Sequence, residues 1–225
     1  MIWKILLFLL MSAVIVMAWV MPSPMNPRYS LGDPEAYRIF YFHVPQSWVA
    51  VLAFIISMVY SIKYLRNRSM EADMKAVTAC RLGLLFAVLA TISGSIFARM
   101  TWGEFWNWSE IRIVSVFILL IIYGAYFALR SAIPERATKA ALSAVLAILF
   151  GISAVFLVFI LPRVYPVFSQ HPTDSIIDRG GQIAMSTEVG IVFLGALLAF
   201  TFIFLWLYNI SVRVAKLRSE SAEEV

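Results

Sequence analysis

Long apolar runs along the chain are separated by short connections that are either charged or aromatic. Six runs, 5–21, 45–65, 82–98, 113–129, 140–161 and 189–208, meet the requirement of roughly 17–25 mainly apolar residues for a helix that crosses a bilayer. In hydrocarbon the backbone amides must bond within their own segment, so runs of this length are predicted to be helices. The shorter alternating segments of a membrane β-barrel are absent. The pattern predicts an all-α integral membrane protein, a single polytopic domain over residues 1–225 with six transmembrane helices. Lys63, near the end of the second run, can snorkel to the interface.

Composition strengthens this reading. Of 225 residues, 62% are hydrophobic and 14% charged, against about a quarter charged in a soluble domain. The mean hydropathy is +0.86, more than one buried core requires. The net charge of +5 matters through its placement. With the N-terminus inside, 12 of the 18 Lys and Arg fall on the cytoplasmic side, among them Lys4, Arg66, Lys75, Arg130, Lys139 and Arg213. Basic loops stay in the cytoplasm, so both termini are expected there. The basic balance is topological and gives no case for nucleic acid. Pro22-Ser23-Pro24 offers no small-x-small cleavage site, so run 5–21 is expected to be an uncleaved first helix.

Several chemistries are excluded. Cys80 is the one cysteine, so neither a dithiol redox centre nor a Cys-x-x-Cys-His haem attachment exists. No Gly-x-x-x-x-Gly-Lys loop is present, and an ATP-driven step would belong to another subunit.

The unusual residues gather on the other, outer side. Segment 99–112 reads Arg99-Met100-Thr101-Trp102-Gly103-Glu104-Phe105-Trp106-Asn107-Trp108-Ser109-Glu110-Ile111-Arg112 and lies between the third and fourth runs. As a helix it would place Trp102, Phe105 and Trp106 on one face. An interfacial aromatic belt is one reading. Four large rings in seven residues also suit a flat apolar ligand of porphyrin size, with Arg99 or Arg112 pairing its carboxylates. His43 stands two residues before Pro45, either just outside a helix that starts at the proline or beside a kink. His171 lies in the long connection 162–188. Each alone reads as an ordinary interfacial or loop histidine. They are the only two in the chain, and both fall on the outer side. Two neutral imidazoles can supply both axial ligands of a haem iron, whereas zinc wants two more ligands. Asp174, Asp178 and Glu188 read as solvated acids, Glu188 at a helix entry.

Tyr41-Phe42-His43-Val44-Pro45-Gln46-Ser47-Trp48 resembles the His-Val-Pro-x-x-Trp motif of the haem exporter protein C family of cytochrome c maturation. Trp102-Gly103-Glu104-Phe105-Trp106-Asn107-Trp108 resembles its Trp-rich loop, the WWD motif. The six-span layout matches as well, and the resemblance covers nearly the whole chain. It implies a multi-pass protein of the bacterial or archaeal cytoplasmic membrane that holds non-covalent haem b at the outer face. It implies as partners the ABC transporter subunits and small membrane protein of the maturation system, and a periplasmic haem chaperone that receives the haem. It also implies His43 and His171 as axial ligands and Trp102, Gly103, Phe105, Trp106 and Trp108 as the platform. The sequence departs from the family pattern at the polar end of the loop. Phe105 replaces a usual Trp, Ser109 a usual Asp, and the acid and base follow at Glu110 and Arg112.

No bond-making chemistry by the chain is called for, so the expectation is a haem-handling protein and not an enzyme. The alternative is a cytochrome b-like subunit of a quinone oxidoreductase, which would place paired histidines inside the helical bundle. A solute transporter would carry ionisable residues at mid-membrane, and haem ligases that share the Trp-rich loop usually have more spans and more histidines.

Overall fold

The computed structural model describes residues 2–24, 33–166, 169–171, 176 and 185–223. Six long helices form a bundle: α1 (Ile2–Val20), α2 (Phe40–Asn67), α3 (Met70–Trp102), α4 (Ile111–Ala132), α5 (Arg136–Val164) and α6 (Thr187–Glu223). Among the described residues there is no strand. A 3₁₀ turn, Pro34–Ile39, runs directly into α2. All six helices are long and apolar enough to cross a membrane.

Several helices overrun their apolar runs because their ends are capped by polar residues. Arg68 closes α2 in the left-handed region, at φ 56°. One residue later the Ser69 hydroxyl accepts from the Ala72 amide and starts α3 at Met70, well before the apolar run at 82. Glu71 and Asp73 occupy the first turn of α3, where carboxylates suit the helix dipole. The Glu135 carboxylate caps α5 by accepting from the amides of Ala137 and Thr138.

α2 is the central element, packed along α3 and α5 and touching α6. In its middle Phe54 stacks on Tyr123 of α4 with ring centroids 3.7 Å apart. Gly83 makes room for this pair, since a Cβ there would lie 2.6 Å from Phe54 Cε1. α1 contacts the bundle mainly through α6 and presents Ile5, Leu6, Phe8 and Leu9 outward, as lipid contact favours. It is fastened at both ends. Trp3 meets Trp206 edge-on at 5.6 Å. At the other end Arg38 Nη1 donates to the carbonyls of Ala18 and Met21, each at 2.7 Å, while its Nε pairs with Glu35 at 2.5 Å.

At the end of the bundle opposite the Trp-rich segment, Arg130 of α4 grips Asp73 of α3 with two bonds of 2.8 and 2.5 Å. Their side chains are 15% and 8% exposed. Such a pair adds little net stability over a well-packed apolar pair, but removing one partner strands a buried charge at a cost of about 3–5 kcal/mol. Arg130→Ala is therefore expected to destabilise the protein in detergent by that order. Asp73→Leu with Arg130→Met should cost less than the single change. Thermal unfolding of the two variants side by side checks this; equal losses would refute it.

Candidate functional site

Three helices meet the Trp-rich end of the bundle with a local break in regular geometry. α2 starts five residues before Pro45 and continues through it, so His43 sits inside the helix and not ahead of it. Pro45 has no amide to donate to the Tyr41 carbonyl one turn back. Near it, the Ser47 hydroxyl donates to the His43 carbonyl at 3.0 Å. α5 passes through a π turn over Phe156–Ile160 before Pro162. There the Leu161 amide reaches back to the Phe156 carbonyl, a spacing that fits a proline into the helix. π turns of this kind recur at functional sites.

A cavity of about 190 Å³ opens among these breaks. α2 contributes His43, Ser47 and Trp48, α3 Ala90 and Gly94, α4 Arg112 and Ser115, and α5 Phe159 and Arg163. Trp102 at the end of α3 closes it, together with Trp106 and His171 from the connecting segments. Both histidines thus line one cavity. The site is built by four helices as well as by the connecting segments.

The His43 ring is held from behind. Its Nδ1 lies 2.9 Å from the Ala90 carbonyl and 3.1 Å from the Ser93 hydroxyl. A carbonyl can only accept, so Nδ1 carries the proton and Nε2 keeps its lone pair. Gly94 makes this pose possible, because a Cβ there would stand 2.8 Å from His43 Cε1. An isolated glycine in an apolar helical run signals close approach. Such isolation is the one sequence signal for Gly94, and Ser93 beside it carries none.

The Trp-rich segment is not a helix throughout. α3 ends at Trp102, and Gly103 takes φ +84°, a conformation that a side chain would strain. The chain then turns until α4 begins at Ile111. The shared helical face expected for Trp102, Phe105 and Trp106 is therefore absent. Trp102 and Trp106 line the cavity, and Trp102 meets the His171 ring edge-on at 4.9 Å. Phe105 and Trp108 are 58% and 62% exposed, with Trp108 packed on Phe117 at 5.0 Å. The two arginines also separate. Arg99 donates to the Gly103 carbonyl and lies over the Phe105 ring, away from the cavity. Arg112 lines the cavity with Arg163.

Glu110 is the N-cap of α4, and its side chain is fully buried. It accepts from the Arg112 amide at 3.1 Å, the Ser169 hydroxyl at 2.9 Å and the Gln170 amide. His171 Nδ1 stands 3.4 Å away. Burial alone would raise the Glu110 pKa, but the interactions with His171 and the backbone amides outweigh it and bring it to about 2. Burial pushes the His171 pKa below its ordinary value, against the pull of Glu110. The amide and hydroxyl donors all favour the charged carboxylate of Glu110.

The arrangement offers a neutral imidazole from each side of one cavity, aromatic walls, and cationic groups at the rim. Arg112 Nε and Trp106 Nε1 are buried without a hydrogen-bond partner among the described residues. An anionic or acceptor-bearing ligand would satisfy them. No group of three or more His, Cys, Asp or Glu converges among the described residues as a protein-only metal cage would need. Glu188 opens α6 from its first turn; Asp174 and Asp178 lie outside the described residues.

The family model for heme exporter protein C matches residues 1–225. Heme exporter protein C of Bradyrhizobium diazoefficiens is 31% identical over 183 residues, 80% of this chain and 67% of that protein. A putative cytochrome c biosynthesis ccmC-like mitochondrial protein of Marchantia polymorpha is 33% identical over 116 residues, 52% of this chain and 48% of its own length. Heme exporter protein C of Escherichia coli K12 is 30% identical over 132 residues, 55% of this chain and 49% of that protein. The match thus spans about half the length of several curated relatives. With a family model that covers every residue and a cavity that gathers both histidines, the chain belongs to the heme exporter protein C family.

Proposed function

We propose that this chain holds haem b non-covalently between His43 and His171 and passes it on during maturation of c-type cytochromes. The observation that carries the reading is the shared cavity, which the only two histidines of the chain line together. Each has its Nδ1 turned toward protein acceptors, which leaves Nε2 for the iron. Trp102 and Trp106 supply flat walls, and Arg112 and Arg163 suit the propionates because guanidinium pairs well with carboxylates. Phe105, Trp108 and Arg99 belong in this reading to the outer surface of the same loop. The protein's part is to bind, orient and shield, with no bond made or broken in the porphyrin. In this reading the cytoplasmic membrane is its location, with the Trp-rich loop outside and both termini inside. A periplasmic haem chaperone receives the haem, and ABC transporter subunits with a small membrane protein assemble alongside. The cytochrome b-like alternative loses support from the count of histidines, since a second pair is missing from the sequence.

Purified from haem-replete membranes, the protein is expected to show a Soret band and a low-spin bis-imidazole spectrum. His43→Ala with His171→Ala should abolish it. Gly94→Ala, which keeps His43 but crowds its ring, should give a partial loss. A spectrum unchanged in the double variant would refute the ligand assignment. Orientation is tested with single cysteines at exposed positions, Glu104→Cys and Glu71→Cys. A membrane-impermeant thiol reagent added outside should label position 104 and spare position 71; the reverse pattern would overturn the topology.

A further inference from the structure

The two histidines differ in what stands behind them. His43 Nδ1 bonds to a neutral carbonyl, that of Ala90. His171 Nδ1 faces the carboxylate of Glu110 at 3.4 Å and has no hydrogen-bond partner among the described residues. Glu110 is fully buried, which for an acid requires a compensating network. That network is present and is directed at one short segment. Ser169 and Gln170 both donate to the carboxylate, and His171 follows them in the chain. The Ser169 hydroxyl oxygen also accepts from the His171 amide at 3.3 Å. The carboxylate therefore fixes the backbone that carries His171 as well as the Nδ1 side of its ring.

We propose that Glu110 is the positioning residue for His171, holding its ring so that Nε2 points into the cavity and lending it anionic character toward a bound iron. The proposal rests on the haem reading above. A carboxylate behind a ligating imidazole fixes the tautomer and makes the ring a stronger donor. Coordination at Nε2 would acidify the Nδ1–H that faces the carboxylate at 3.4 Å. Metal-ligating histidines of this kind typically lose 10–100-fold in affinity without their carboxylate. The two histidines would then be unlike as ligands, a neutral imidazole at His43 backed by a carbonyl and an imidazole of partial imidazolate character at His171 backed by a carboxylate. Extra negative charge at one ligand favours ferric over ferrous iron. The displaced acid of the Trp-rich segment thereby gains a role: from position 110 it caps α4 and reaches the 169–171 segment at once.

The test uses the full chain in lipid nanodiscs, loaded with haem b, and reads the midpoint potential, the spin state and the haem dissociation constant. Glu110→Gln keeps one acceptor oxygen, for Ser169 and the Arg112 amide or for Gln170, and removes the charge. It is expected to raise the midpoint potential, add a high-spin fraction and weaken haem binding by about 10–100-fold. Glu110→Asp keeps the charge and should return the potential toward that of the unchanged protein. Glu104→Gln, which removes an exposed acid of the same loop, should change none of the three. A Glu110→Gln protein with unchanged potential and a fully low-spin spectrum would reduce Glu110 to a loop fastener and overturn the proposal. So would Glu110→Asp with a shift as large as that of the amide. An unchanged protein with no Soret band would instead remove the haem reading itself, and this proposal with it.

Discussion

Hydrocarbon offers no partner to a backbone amide or carbonyl, so each crossing segment must bond to itself. Around the cavity that constraint is relaxed. Pro45 removes a donor from α2, the π turn Phe156–Ile160 shifts the ladder of α5, and Gly103 stops α3 with a left-handed residue. Unsatisfied or shifted carbonyls are tolerated where protein surrounds them, and here a hydroxyl such as that of Ser47 lies close by. The opposite end of the bundle has capped, regular helix ends and the Asp73–Arg130 pair. Irregular backbone is thus concentrated where side chains must converge from four helices.

Convergence has a second requirement, space. The Ala90 carbonyl can accept from His43 because the next turn of α3 presents Gly94 and not a larger residue. Gly83 does the same for Phe54 deeper in the bundle. α2 and α3 therefore approach closely along much of their length, and the imidazole is pinned by backbone and not only by side chains. A carbonyl of a regular helix moves little, so the His43 ring inherits the rigidity of α3. His171 depends on the side chain of Glu110 from another part of the chain, and its placement is a matter of tertiary structure.

The six helices were legible because lipid imposes a strong local rule: length and apolarity suffice to find a crossing segment. The histidines and tryptophans were legible through their rarity and their family spacing. What stayed hidden was relational. Sequence showed that Glu110 stood one place from the usual acid, but its contact with Ser169 and Gln170 crosses some sixty residues of chain. The helical face expected for Trp102, Phe105 and Trp106 failed at a single residue, Gly103, whose positive φ sends Phe105 outward. Sequence left two starts open for α2, at Pro45 or ahead of it; the earlier one holds, because the 3₁₀ turn Pro34–Ile39 leads directly into the helix.

The Arg38 clamp also bears on His43. Its guanidinium completes the carbonyls of Ala18 and Met21 at the end of α1. His43 follows five residues later, in the first turns of α2, so the segment that fastens α1 is also the one that leads the imidazole into the bundle. In the proposed reading, haem held there would lie among mostly apolar side chains, and its departure toward an aqueous acceptor would be a partition across a dielectric step as well as an exchange of ligands.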